Sequence, residues 1–207
     1  MESKFLVKEV LSFGWNAMKK HFLFFLVLLI AAFLIGITNQ VVSKSVENNI
    51  LQTLVALVIF FLINTALNMA FVKASLQASN NEEPGSGDFF SFFRLYIDYL
   101  FASVLYSLIC LGGLLLLIVP GVIWSIQFGQ FGYLIIDKGL NPIEALKKSS
   151  QITKGAKFAL FKFYLWTTLI VVAGALCLVI GLLAALPTVL VAWACVYRKL
   201  LAQKAIV

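Results

Sequence analysis

Between Asp98 and Asp137 the chain reads YLFASVLYSLICLGGLLLLIVPGVIWSIQFGQFGYLII, positions 99–136, without a single charge. As one helix at 1.5 Å per residue this stretch would be about 57 Å long, about twice the hydrocarbon thickness of a bilayer. It must fold back on itself, and Pro120-Gly121 stands where a tight turn divides it. Proline fixes φ and lacks an N–H, so it belongs at a turn or among the first residues of a helix. The other charge-free windows fit the same scheme. Positions 22–43 and 48–72 each suit a single span, while 163–197 is too long for one and is divided by Pro187. The spacing predicts an all-α integral membrane protein with six transmembrane helices in three hairpins.

Composition requires the bilayer independently. Of 207 residues, 62% are hydrophobic and 12% charged, with a mean hydropathy of +1.00. Soluble domains are about 45–50% apolar and about 25% charged, so part of this surface must be solvated by lipid. Three cysteines exclude a disulfide framework, and a single histidine argues against a histidine-rich metal centre. Charge placement sets the orientation. Fifteen of the 16 basic residues fall on one side of the six spans, leaving only Lys44 on the other. That side is cytoplasmic by the positive-inside rule, with both termini on it. The first apolar run is too long and begins too late for a cleaved signal peptide, and no lipidation box opens or closes the sequence. The expected location is the plasma (inner) membrane of a prokaryote.

Each cytoplasmic stretch before a hairpin reads as a short amphipathic helix. In the first, Val7, Leu11, Gly14, Trp15 and Met18 share a face, opposite Lys4, Lys8, Ser12 and Lys19, with Phe5 and Trp15 suited to headgroup depth. In the second, Ser86 or Asp88 caps a segment carrying Phe89, Phe90, Phe92, Phe93 and Tyr96, and Arg94 and Asp98 are spaced for an i,i+4 ion pair. In the third, Asn141 is an N-cap, Pro142 a first helical residue and Glu144 the partner in a capping box. There Ile143 and Leu146 are expected to face lipid, and Lys147, Lys148, Gln151 and Lys154 water. The chain thus reads as one membrane domain, 1–207, of three units at roughly 1–78, 86–138 and 141–204, with a flexible connector at 79–87. Pro120 and Pro187 are expected to mark equivalent turns of the second and third units.

The run from Pro120-Gly121 through Tyr133-Leu134-Ile135-Ile136-Asp137 and Gly139 to Pro142-Ile143-Glu144-Ala145-Leu146-Lys147-Lys148-Ser149 and Thr153-Lys154-Gly155 resembles the glycerophosphoryl diester phosphodiesterase membrane-domain family and its stand-alone bacterial and archaeal relatives. Leu11-Ser12-Phe13-Gly14-Trp15 before the Lys19-Lys20 pair is similar as well. The most distinctive residues are confined to positions 120–155, and Ser150 stands where members often carry Trp. The resemblance implies an integral membrane unit. It does not carry over the phosphodiesterase activity, because the soluble catalytic domain to which some members are fused is not in this sequence.

Polar groups inside a bilayer are costly and ask for a reason. The spans hold no Asp, Glu, Lys, Arg or His at mid-depth, which argues against proton relays, ion pathways and voltage sensing. Their polar content is neutral. Asn64 and Asn68 lie one turn apart in the second span, and Gln127 and Gln130 lie in the fourth. Such amides either line a polar route or bond neighbouring helices. Small residues at Ala173, Cys177, Gly181 and Ala185, and at Ser125 and Gly129, fit close helix packing. Cys110, Cys177 and Cys195 read as small hydrophobes. His21 reads as an interfacial anchor, and Asp98 and Asp137 as caps or ion-pair partners of Arg94 and Lys138. No P-loop, GxSxG, HExxH or dinucleotide fingerprint occurs, so no catalytic residue, metal or cofactor is expected. Nucleic acid is not an expected partner either, because the lysines hug the membrane ends, where anionic lipid accounts for them. The expectation is a non-enzymatic module that engages anionic lipids or docks a protein partner or second copy. Lys147, Lys148, Lys154 and Lys157 are its nearest contacts. The alternative is a small transporter or channel for a neutral or amphiphilic solute, routed along Asn64, Asn68, Gln127 and Gln130.

Overall fold

The computed structural model describes residues 6–46, 49–85 and 89–205. Among these residues the chain forms α-helices and no strand: α1 (Val7–Lys20), α2 (Phe22–Val46), α3 (Ile50–Ser79), α4 (Phe89–Leu116), α5 (Ile118–Phe128), α6 (Phe131–Lys138), α7 (Pro142–Thr153), α8 (Lys157–Leu176) and α9 (Leu178–Ala205). Six segments are long and apolar enough to cross a membrane, with α5 and α6 together making the fourth. The chain is a multi-pass membrane protein by this measure, as its composition demands.

Side chains pack best around α6. Leu134 and Ile135 are fully buried there among Met69 and Leu76 of α3, Ala102 of α4, Ile152 of α7, Leu160 and Phe163 of α8 and Val196, Tyr197 and Leu200 of α9. Away from this core the helices splay. Ile50 and Leu176 are each 81% exposed, and the whole run from Leu114 to Val119 is exposed. The total surface is 12552 Å², whereas a compact monomer of this mass would show about 9,600 Å². The excess is apolar and suits contact with acyl chains.

Helix ends follow local chemistry. The Asn49 side-chain oxygen accepts from the Leu51 and Gln52 N–H groups and starts α3. Gly139, at φ 61°, closes α6 by donating to the Ile135 carbonyl, a left-handed C-terminal position that glycine adopts without strain. Two residues later Asn141 starts α7, accepting from the Glu144 N–H at 2.9 Å, with Pro142 in the first turn as expected.

Several expectations need correction. Leu117, in extended conformation, divides the 99–136 window, and Pro120 sits in the first turn of α5, where its missing N–H costs nothing. Gly121 packs there against the backbone of Gly113 and Leu114. Pro187 is not a turn residue at all but lies inside α9, and the chain turns at Cys177. Two physical reasons favour Cys177. Helix α8, from Lys157 to Leu176, already spans about 30 Å, the hydrocarbon thickness. Gly174 and Gly181 also let the two backbones meet, since a Cβ on either would collide with the other. Pro187 leaves the Leu183 carbonyl without its helical N–H; the Thr188 hydroxyl donates to the adjacent Ala184 carbonyl, and spanning helices tolerate such a proline. Pro120 and Pro187 therefore do not occupy equivalent turns, and Ala173, Cys177, Gly181 and Ala185 straddle the α8–α9 turn rather than line one span.

The units also differ in their entries. No separate helix precedes the third span, because α4 runs unbroken from Phe89. Ser86, Asp88 and the side chains of Phe89, Phe90, Phe92 and Phe93 lie outside the described residues, as do Lys4, Phe5 and part of the connector. In α1 the buried residues are Val10, Gly14, Ala17 and Met18, with Trp15 left exposed. The partner of α1 is chiefly α9, the last helix of the chain. Gly14 touches the Thr188 carbonyl and Ala192 so closely that no side chain fits, and Lys199 pairs with Glu9 at 3.2 Å. Leu146 of α7 is buried, and only Ile143 of that expected lipid-facing pair is exposed.

Candidate functional site: the basic groove and the broken fourth span

The fourth span is interrupted at Gly129-Gln130, between α5 and α6. A break inside a span frees backbone groups that must find partners. Side chains of α7 supply them. The Ser149 hydroxyl accepts from the Gln130 N–H at 3.1 Å and donates to the Gln127 carbonyl at 2.9 Å. The Thr153 hydroxyl has three carbonyls within reach, those of Ser149 at 2.9 Å, Gln127 at 3.1 Å and Ser150 at 3.2 Å, and shares its single proton among them. The Gln127 amide is engaged at both ends: its nitrogen donates to the Ser150 oxygen, and its oxygen accepts from the Lys157 ammonium, each at 2.6 Å.

These contacts decide what the four intramembrane amides can do together. Asn64 and Asn68 donate to the carbonyls one turn back, those of Phe60 and Asn64, and both are exposed on α3. Gln127 ties α5 to α7 and α8, and Gln130 is buried at the break. No cavity among those described is lined by more than one of the four.

The lysines are arranged otherwise. Lys147 and Lys148 on α7 and Lys138 at the end of α6 line one groove of about 590 Å³, together with Glu144, Gln151 and the apolar Leu134, Leu140 and Leu201. Cations thus rim a leucine floor. Lys138 is shared with Asp137 at 3.3 Å, and Asp137 also accepts from the Tyr197 hydroxyl at 2.9 Å. Lys154 caps α7 at some remove, and Lys157 is turned toward Gln127. Two of the four expected lysines therefore share the groove. Lys138 is the member that sequence reasoning missed. Its signal was the Gly139 stop shortly before Pro142, which folds α7 back against the end of α6.

Lys138 and Lys199 form ion pairs with Asp137 and Glu9, and the expected pair between Arg94 and Asp98 does not form. No group of three His, Cys, Asp or Glu side chains able to hold a metal occurs among the described residues. His21, between α1 and α2, is half-buried with its Nε2 unpaired. Burial, and then the neighbouring Lys20, hold its pKa below the ordinary 6.5, opposed by Glu83.

The chain matches no family model, no curated protein and no solved structure. The groove and the broken span therefore have to be interpreted from their own chemistry.

Proposed function

We propose that the protein is a non-enzymatic multi-pass module of a prokaryotic plasma membrane that holds anionic lipid headgroups in the groove between α6, α7 and α9. Both termini would be cytoplasmic, and three hairpins with cytoplasmic basic segments would form the unit, in keeping with the family resemblance of residues 120–155. The observation that carries the reading is the convergence of Lys138, Lys147 and Lys148 on a leucine-floored groove. Phosphate oxygens fit the cations, and the first methylenes of the lipid fit the leucines. Basic residues near an anionic surface contribute about 1 kcal/mol each; with Glu144 also in the groove, the three lysines leave a net preference for an anionic over a neutral headgroup of about 2 kcal/mol, about 30-fold at low salt. The solute-route alternative is weaker, because its four amides lie apart and three of them are hydrogen-bonded to helix backbone or to neighbouring side chains.

The test is native mass spectrometry of protein released from nanodiscs of mixed phosphatidylglycerol and phosphatidylcholine. The unmodified protein is expected to retain phosphatidylglycerol, less so as salt is raised. Lys138→Gln, Lys147→Gln and Lys148→Gln together should cut that preference at least tenfold. Equal retention of both lipids by the unmodified protein, or an unchanged preference in the triple variant, would overturn the proposal.

A further inference from the structure

A second cavity, of about 260 Å³, is lined in part by the broken span and has different chemistry. Its walls include Tyr106 of α4, Ser125 of α5, Gln130 at the break, Tyr133 of α6, Tyr164 of α8 and Trp193 of α9. No Lys, Arg, His, Asp or Glu lines it. Four aromatic rings from four helices line this space, and one of them, Tyr164, is 58% exposed.

The rings are held from behind. Tyr133 stacks on Tyr197 with centroids 5.3 Å apart and planes at 19°. Trp193 is set edge-on against Phe163 at 4.8 Å and Tyr164 at 6.1 Å. Tyr106 leans on Phe131 at 5.1 Å, and its hydroxyl is fixed by the Ser125 carbonyl at 3.2 Å. A cage whose walls are already immobilised loses little freedom when it is filled.

Gln130 is the unexplained member. It is 2% exposed, and its side-chain oxygen is buried without a hydrogen-bond partner. A sealed, unpaired amide is costly where no water can reach it. Its terminal torsion has a broad, two-fold profile, so a half-turn presents either amide atom to the cavity. An N–H donor arriving in the cavity would pair the oxygen.

From these features we propose that the cavity binds an alkylammonium group. Aromatic faces carry the negative part of the ring quadrupole and attract cations, most strongly when water is excluded. The Gln130 side-chain oxygen adds an unpaired acceptor, and the absence of any cation from the lining disfavours an anionic ligand. The group can come from the headgroup of a zwitterionic phospholipid or from a free amine, and the chemistry is shared. The site is separate from the lysine groove and does not depend on it.

The experiment is calorimetric titration of the protein in nanodiscs of phosphatidylglycerol alone, with choline and with its uncharged isostere 3,3-dimethylbutanol. Choline is expected to bind saturably and at least tenfold more tightly than the alcohol. Trp193→Leu and Tyr164→Leu should each weaken it tenfold or more, and Tyr164 is exposed enough for its variant to fold. Trp166→Leu, a lipid-exposed indole outside the cavity, should leave it unchanged. Gln130→Leu should weaken ethanolamine, which donates N–H bonds, more than tetramethylammonium, which cannot. Phosphatidylcholine added to the discs will compete with free choline if the headgroup is the occupant, and will leave choline uptake intact if a free amine is. No saturable choline signal, equal affinity for the alcohol, or an equal loss in Trp166→Leu would overturn the proposal.

Discussion

Ser149→Ala removes one hydroxyl and leaves one buried amide without a partner. Ser149 is fully buried and Gln130 is 2% exposed, so water cannot replace the lost bond to the Gln130 N–H. The Gln127 carbonyl is affected differently, because the Thr153 hydroxyl still reaches it at 3.1 Å. An unpaired buried donor costs about 1–3 kcal/mol. Polar bonds between spanning helices measure lower, averaging about 0.6 and reaching about 1.7 kcal/mol, because the unfolded chain in lipid finds partners too. Ser149→Ala should therefore cost about 1–2 kcal/mol, about a 5–30-fold fall in the folded-to-unfolded ratio. Thr153→Val should cost less, about 0.5–1 kcal/mol, since Ser149 continues to serve the Gln127 carbonyl and only the share of the hydroxyl that reaches the Ser149 and Ser150 carbonyls is lost outright. In the double variant that carbonyl loses both donors, so the cost should exceed the sum of the singles by about 0.5–1 kcal/mol. Equilibrium unfolding of the four proteins by dodecyl sulfate in mixed micelles, followed by tryptophan fluorescence, gives the cycle directly. The account of the broken span is refuted if Thr153→Val is as costly as Ser149→Ala, or if the double variant equals the sum of the singles.

Three further predictions concern the turn, the close packing and pH. Cys177, exposed at the α8–α9 turn, should react with a membrane-impermeant maleimide added opposite the termini, while a cysteine placed by Pro187→Cys in a Cys177→Ala background should not; the reverse pattern would return the turn to Pro187. Gly14→Val drives a side chain into the Thr188 carbonyl and should lower stability in the same unfolding assay by about 1–3 kcal/mol, whereas Ser12→Val on the exposed side of α1 should change it little. Because His21 is held below its ordinary pKa of 6.5 by burial and by Lys20, the folded state binds this proton less readily than the unfolded chain. The stability that the neutral ring contributes is present above pH 6.5 and lost as pH falls through the lower, folded value. The thermal midpoint in detergent should accordingly fall more steeply from about pH 7.5 to about pH 5.5 in the unmodified protein than in His21→Gln, and equal slopes would contradict the sign.

Much of this was legible in the linear chain because the bilayer imposes a length. A charge-free window running from Tyr99 to Ile136 cannot cross once and stop, so the number of spans followed from arithmetic. The Asn141-Pro142 start of α7 was legible for a similarly local reason: a side-chain cap and a fixed φ act within one turn. Pro187 misled because proline is only a local preference. The turn went to Cys177, where Gly174 and Gly181 on either side permit backbone contact that no single residue announces. The lysines were identified individually, but their grouping was not. Lys147 and Lys148 meet Lys138 because Gly139 turns the chain, while Lys157, on the next helix, is drawn to Gln127.

Residue identity alone therefore determined that the protein lives in lipid and where its helices are long enough to cross. Those properties are sums over contiguous residues, and solvent reads them regardless of what else is nearby. Tertiary structure alone decided that α1 leans on α9, that the fourth span breaks and is mended by Ser149 and Thr153, and that Tyr106, Tyr133, Tyr164 and Trp193 close around Gln130. Each of these depends on which distant backbone or ring fills a space, and in a bilayer most helix faces are equally apolar. Close packing and a few polar bonds then select the partners, and they are properties of pairs that no single stretch of sequence contains.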